Sequence, residues 1–170
     1  MENKGVVYTG CPSPEELANA PGVPSAARLA KGPVAVIECV QHIPCNPCEA
    51  ACPFGAITVG DSITNLPVLD VEKCTGCGTC VAACPGLAIF TVDMNYSETE
   101  AGVEFPYEYL PLPEKGMVVD AVNRCGEVVC KGTVVRVRSA ANFVNTRVVK
   151  LAVPKQFANE VRSMKRLPRA

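Results

Sequence analysis

Cys39-Val-Gln-His-Ile-Pro-Cys45-Asn-Pro-Cys48-Glu-Ala-Ala-Cys52-Pro53 and Cys74-Thr-Gly-Cys77-Gly-Thr-Cys80-Val-Ala-Ala-Cys84-Pro85 carry eight of the chain's eleven cysteines. The second run is spaced C-x2-C-x2-C-x3-C-P. The first has that spacing from Cys45 onward, with five residues rather than two before it. Cys45, Cys48, Cys52, Pro53, Ala56 and Ile57 recur as Cys77, Cys80, Cys84, Pro85, Ala88 and Ile89 at a constant offset of 32. Such self-similarity points to a pseudo-symmetric unit. Residues 34–37 and 67–70 read as short strands before each run, and 57–59 and 89–92 as the return strands. A proline after each fourth cysteine turns the chain away with no free N–H donor. Gly76 and Gly78 allow unusual backbone conformations in the second loop, whereas Pro44, Asn46 and Pro47 make the first one stiffer.

Three cysteines at steps of three, followed by C-P, do not fit a zinc ribbon, which needs two pairs set far apart. Structural disulfides belong to secreted chains. The opening Met1-Glu-Asn-Lys lacks the apolar region of a signal peptide, so a cytoplasmic location is expected. No apolar run approaches the ~18–20 residues of a membrane span.

The second run matches, residue for residue, the ligand pattern of bacterial two-cluster ferredoxins, and residues 39–92 resemble that fold. The resemblance implies two [4Fe–4S] clusters and an electron-transfer role. A cubane offers four irons, each wanting one thiolate, and three cysteines on one wrapping loop reach three of them. The fourth, expected at the start of a helical turn and pointing away, serves the other cluster. Cluster one then takes Cys39, Cys45, Cys48 and Cys84. Cluster two takes Cys52, Cys74, Cys77 and Cys80. Such a chain needs no catalytic acid, base or nucleophile.

The expected fold class is α+β: a ferredoxin-like domain at 34–92, a helical leader at 1–33, an extended linker or arm at 93–115, and a small β-rich basic extension at 116–170. In the leader, Ser13-Pro14-Glu15-Glu16 is a capping box with proline at the first helical position, and Ser25 caps a second short helix over 26–31. Residues 105–113 contain three prolines, which exclude a helix and favour an arm laid on a neighbouring surface. Strands are expected at 117–122, 127–131, 133–137 and 147–153, with Gly126 and Gly132 as separators. A helix is expected from Pro154 through Met164, with Phe157, Val161 and Met164 on one face.

Four further residues carry possible chemistry. His42, the sole histidine, lies in the lengthened interval and reads as a loop residue bonded to backbone or solvent. Tuning of a nearby cluster is its alternative role. Cys11 reads as an inert thiol, with substitution for Cys39 as the minor alternative. Cys125 and Cys130 fit no cluster run and read as ordinary buried or free thiols, with paired ligands as the minor alternative.

Charge is divided unevenly. Residues 131–170 hold ten Lys or Arg and one acid, and residues 1–130 hold six bases and sixteen acids. Such asymmetry marks a docking surface. The bases alternate with strand valines rather than aromatics, so an acidic protein face, the chain's own or a partner's, is favoured over nucleic acid.

A narrower resemblance rests on Pro44-Cys-Asn-Pro-Cys-Glu49, Thr75-Gly-Cys-Gly78 and Cys84-Pro-Gly-Leu-Ala-Ile89, with the 105–113 segment and the basic end. Together they are similar to the small two-cluster subunit encoded beside FAD-dependent amino-acid dehydrogenases of the proline dehydrogenase and hydrogen-cyanide-synthase-like type. That resemblance implies a hetero-oligomer in which FAD-containing dehydrogenase subunits oxidise the amino acid and this chain carries the electrons. The chain has no G-x-G-x-x-G for a dinucleotide. The alternatives are a free soluble ferredoxin and, behind it, a cluster-bearing nucleic-acid binder.

Overall fold

The apolar run Val34-Ala-Val-Ile37 forms β1 (Val34–Ile37), which is buried along its whole length although it is an edge strand of a seven-stranded sheet. The computed structural model describes residues 4–143 and 145–169, so residues 1–3 of the expected leader lie outside it. The leader covers the β1 edge. The Ile37 N–H donates to the Gly22 carbonyl at 2.9 Å, and the Leu69 N–H donates to the Pro21 carbonyl at 3.3 Å. An uncovered edge is a template for unwanted pairing, and here the leader occupies it.

The leader holds α1 (Val6–Thr9), α2 (Pro14–Ala18) and α3 (Ala26–Leu29). The cap on α2 is the expected box: Ser13 Oγ accepts from the Glu16 N–H at 3.2 Å, and the Ser13 N–H donates to the Glu16 carboxylate at 2.7 Å. Ser25 Oγ accepts from the Arg28 N–H at the start of α3. The first helix, α1, has no counterpart among the expected elements. It has no side-chain cap of its own, and its Val6 N–H instead donates to the Glu16 carboxylate ten residues on.

Between the cysteine runs the strands cross over. β2 (Ile57–Thr58) and β3 (Val68–Leu69) form a separate two-stranded antiparallel sheet. β4 (Ile89–Asp93) pairs with β1 from Val34↔Val92 to Ile37↔Ile89. The inner strands of the repeat thus pair with each other, and so do the outer ones. Helices α4 (Pro47–Ala51) and α5 (Thr79–Ala83) pack together beneath them.

Beyond residue 93 the chain continues the sheet that β1 and β4 begin. β5 (Glu100–Tyr107), β6 (Val118–Val122), β7 (Val128–Arg138), β8 (Arg147–Pro154) and β9 (Ser163–Met164) complete the order β1-β4-β5-β8-β7-β6-β9. Three expectations change. The first half of the expected arm is a central strand: β5 lies between β4 and β8, with residues 101–107 all buried. Its register with β4 spans only Gly102 to Glu104. Pro106 therefore sits where the sheet has lost its second neighbour, the setting in which a strand tolerates proline. Gly132 does not separate two strands but lies within β7, where an added Cβ would stand 3.0 Å from Val153 Cγ1.

The expected 154–164 helix is also replaced, by a 3-10 turn at Lys155–Phe157 followed by β9. Val161 and Met164 are buried as the pattern required. The backbone beside them, however, bonds the edge of β6: Arg162 N–H to the Val122 carbonyl and Lys165 N–H to the Asp120 carbonyl.

The uneven charge folds onto itself. Arg136 and Arg138 both bond the buried Glu104 carboxylate, and Lys150 lies 3.8 Å from Asp93. Arg162 Nε donates to Glu38 at 2.7 Å, with both side chains only 4% exposed. Arg124 grips the same Glu38 carboxylate from the other side.

Phe105 is fully buried in β5, whereas Leu110 just beyond it is 65% exposed. Phe105→Ala should cost about 3–5 kcal/mol, or a fall in melting temperature on the order of ten degrees for a chain of this size. Leu110→Ala should leave the melting curve almost unmoved. Equal small effects from both in anaerobic melting would mean that this stretch is not a central strand.

Candidate metal centres

The repeat places its cysteines in matching local structure. Cys48 lies in α4 and Cys80 in α5, both buried. The fourth cysteines do not open a helical turn, as the spacing suggested, but close one. Cys52 and Cys84 are the C-caps of the two helices, with φ/ψ of −79°/107° and −78°/110°. At that point the helix ends and the chain becomes extended, ready for the proline that follows. Three residues after each proline an alanine N–H turns back onto the sulfur: Ala56 N–H to Cys52 Sγ at 3.2 Å and Ala88 N–H to Cys84 Sγ at 3.4 Å.

Two cavities lie at this level, each walled by four of the eight cysteines. One is lined by Cys39, Cys45, Cys48 and Cys84 with Ile37, Ile43, Pro67 and Ile89 among its walls. The other is lined by Cys52, Cys74, Cys77 and Cys80 with Ala35, Phe54 and Ile57. In each, three cysteines come from one run and the fourth from the helix end of the other. The thiols stand around walls rather than on a point: among the described residues, no three Cys, His, Asp or Glu side chains converge to hold a single ion. Four sulfurs around an apolar space are the donor set that a [4Fe–4S] cluster takes, so the residues present fit that group.

Burial sets the state of these thiols before metal arrives. It pushes Cys48 up to about 11 and Cys80 up to about 12, and it raises Cys39 and Cys84. To act as metal ligands they would have to shed those protons. Cys48, from the first cavity, lies close enough to Cys80 of the second to raise it further, so the two cavities adjoin.

The two loops are supported differently. The carbonyls of the second are held by guanidinium groups that the cysteine spacing does not reveal. Arg28, from α3, donates through Nη2 to the Cys74 carbonyl at 2.8 Å and through Nε to the Val71 carbonyl at 2.7 Å. Arg138, from β7, donates through Nη1 to the Cys77 carbonyl at 3.0 Å. Gly76 and Gly78 have φ of 66° and 76°, in the left-handed region that glycine enters freely. They are also hemmed in: an added Cβ would stand 2.6 Å from the Pro33 carbonyl carbon at Gly76, and would clash with Arg138 and Glu104 at Gly78. The Ala35 N–H donates to Cys74 Sγ at 3.4 Å. The first loop is tied by backbone, with the Cys45 N–H donating to the Ile63 carbonyl at 3.1 Å.

The remaining candidates fall outside both cavities. His42 Nδ1 is 3.1 Å from the Thr64 carbonyl, while its neighbours Gln41 and Ile43 line the first cavity. Cys11 does not stand in for Cys39; its Sγ donates to the Arg124 carbonyl at 3.3 Å. Cys130 packs against the core from β7, and Cys125 is exposed.

Residues 67–90 match the 4Fe-4S binding domain family. Over 38 residues the chain is 58% identical to a subunit of the Na(+)-translocating ferredoxin:NAD(+) oxidoreductase complex of Acetobacterium woodii, covering 22% of this chain and 11% of that protein. It is 51% identical over 50 residues to a subunit of the ion-translocating oxidoreductase complex of Methanosarcina acetivorans, covering 29% and 18%. A third relative is the polyferredoxin-like subunit of the aliphatic sulfonate oxidoreductase of Pyrococcus furiosus, 52% identical over 48 residues and covering 28% and 27%. The chain thus spans between 11% and 27% of the length of these relatives. No solved structure matches it. Among the described residues no helix is long and apolar enough to cross a membrane. Residues 67–90 are a 4Fe-4S binding domain of the ferredoxin kind, set within a mixed helix-and-sheet chain.

Proposed function

We propose that the chain is an iron–sulfur electron-transfer subunit with two [4Fe–4S] sites, passing single electrons between an oxidoreductase partner and a downstream acceptor. One observation carries the reading: the eight cysteines of the two runs wall two adjoining cavities, four to each, with the fourth exchanged between runs. Cys39, Cys45, Cys48 and Cys84 would hold the first group, and Cys52, Cys74, Cys77 and Cys80 the second. When bound, a [4Fe–4S] cluster supplies one-electron redox chemistry at a potential set by hydrogen bonds to sulfur, nearby charge and solvent exposure.

The protein's own contribution is position and electrostatics. The N–H groups of Ala35, Ala56 and Ala88 donate to the Cys74, Cys52 and Cys84 sulfurs, hydrogen bonds of the kind that tune a cluster's potential. Arg28 places a positive charge on the backbone of the second loop. Cys77 is exposed, Phe54 beside it is half exposed, and Ile43 is similarly open at the first cavity. Apolar side chains at the rim of such a site suit contact with a protein partner. The relatives, which are subunits of oxidoreductase complexes by name, support the subunit reading. An FAD-containing amino-acid dehydrogenase as that partner, and the cytoplasm as the location, rest on the sequence readings alone. A free ferredoxin is the alternative.

Anaerobic purification through a tag on this chain, with iron, sulfide and flavin assays, tests the reading. About eight irons and an FAD-containing partner are expected. Eight irons and no partner would leave a free ferredoxin, four would remove one site, and zinc in place of iron would sink the assignment. The exchange of the fourth ligand has its own test. Cys84→Ala should lower iron from about eight to about four and abolish the first site while the second remains; selective loss of the second would overturn the crossed assignment. Arg28→Met should lower the midpoint potential of the second site by tens of millivolts, because a nearby cation favours the reduced, more negative state. Arg28→Lys should restore part of that shift. An unchanged potential in an EPR-monitored titration of Arg28→Met would remove Arg28 from the tuning role.

A further inference from the structure

Two cysteines that neither cavity uses meet across the molecule. Cys11 follows α1 in the leader, and Cys125 sits in the turn between β6 and β7, 114 positions away. Cys11 Sγ donates to the carbonyl of Arg124 at 3.3 Å, the peptide carbonyl that precedes Cys125, and this places the two side chains near enough to influence each other. The turn that carries Cys125 is held still: Asn123 Oδ1 accepts from the Cys125 N–H at 2.9 Å and from the Glu127 N–H at 3.0 Å. The leader is anchored by the Glu16 carboxylate, which takes the Val6 and Ser13 N–H groups. Both thiols therefore ride on backbone fixed independently of each other.

The geometry points to a reversible dithiol site at Cys11 and Cys125, which takes small-molecule disulfides as its substrate class and closes to an internal disulfide. Cys125 is exposed and meets the reagent first. Its thiolate attacks one sulfur of R–S–S–R, forming a mixed disulfide and releasing one R–S⁻, which takes up a proton. Cys11 then loses its proton and attacks the Cys125 sulfur, releasing the second thiol. The balance is one protein dithiol and one R–S–S–R giving one protein disulfide and two R–SH; two electrons pass to the reagent. The division of roles agrees with the environment of Cys11, whose thiol is pushed up to about 11 by the neighbouring Cys125 side chain and by burial. Cys11 is thereby kept protonated until Cys125 is engaged.

The position gives the bond a consequence. Val6, Gly10 and Pro12 of the leader form one wall of an open cleft, and Arg124 and Cys39 line it as well. The Arg124 side chain reaches Glu38, the residue before Cys39. A bond between Cys11 and Cys125 fixes that wall beside the first cavity without drawing on any of the eight cavity cysteines. Closing a loop this long also constrains the unfolded chain strongly.

The test uses the full chain purified anaerobically with its metal retained. It is incubated with excess oxidised glutathione, blocked with a maleimide in denaturant, digested with trypsin and mapped by mass spectrometry. The expected product joins the peptide containing Cys11 to residues 125–131, with loss of both maleimide adducts. That second peptide also holds Cys130, so variants decide the partner: Cys125→Ser, in an exposed turn, should abolish the bridge, and Cys130→Ser should retain it. A bridge from Cys11 to Cys130 or to a cavity cysteine would overturn the assignment. So would recovery of Cys125 only as its glutathione adduct, or of Cys11 and Cys125 as free thiols.

Discussion

The packing of α4 against α5 is the constraint on which the rest of the cysteine-bearing region depends. Each helix is five residues long, well below the length at which a helix holds in water by itself. Neither can be positioned by propensity. What positions them is the burial of Cys48, Cys80 and Val81, the alanine N–H bonds to Cys52 and Cys84, and the pairing of β1 with β4 and of β2 with β3 around them. Because the strands pair across the repeat, the end of each helix faces the other run's loop. The exchange of fourth cysteines between cavities therefore follows from the strand pairing. For so small a unit, a bound metal would add folding energy to this packing.

A second constraint is electrostatic. Glu38 and Glu104 are 7% and 2% exposed, and each is straddled by two arginines, Arg124 with Arg162 and Arg136 with Arg138. A buried carboxylate left without its partner costs several kcal/mol, while the complete pair is close to neutral in net stability. These pairs therefore specify arrangement more than they add stability. Glu38 lies beside Cys39 and Glu104 beside Gly78, and their arginines come from the later stretch of the chain, so each pair docks the added sheet onto the edge of a cavity. Both glutamates belong to the acidic residues 1–130, and three of the four arginines, Arg136, Arg138 and Arg162, belong to the basic stretch 131–170, so the two charge regions meet in these pairs.

What could be read in the sequence and what could not divide along the range of the interactions involved. The second run was legible because ligation demands fixed spacing, and residues 67–90 match the 4Fe-4S binding domain family; the first run was legible as its repeat at an offset of 32. The strand at 34–37 and the Ser13 cap were legible because each is a local pattern. β5 was hidden by its own chemistry: Pro106 argues against a central strand, and only the end of the β4 register at Glu104 makes it tolerable. Phe157, Val161 and Met164 repeat at helical intervals, yet the free edge of β6 offered hydrogen bonds that no window of 154–164 could show. Arg28 and Arg138 carried no motif, since a carbonyl can be gripped from anywhere. The meeting of Cys11 with Cys125, 114 positions apart, was equally invisible.

The repeat also shows two ways of stiffening the same loop. In the first run the chain is stiff by composition: Pro44 and Pro47 fix their own φ, and one backbone bond from Cys45 to Ile63 completes the hold. In the second, Gly76 and Gly78 leave the chain free, so the rigidity has to come from outside, through Arg28 on the Cys74 carbonyl and Arg138 on the Cys77 carbonyl. The glycines and the arginines require one another. A side chain at Gly78 would collide with the Arg138–Glu104 pair, and without those clamps a glycine loop would sample many conformations. The external solution brings positive charge to one site and not, by the same means, to the other. From two nearly identical runs the fold thus makes two loops held by different means, one by its own prolines and one by arginines from elsewhere in the chain.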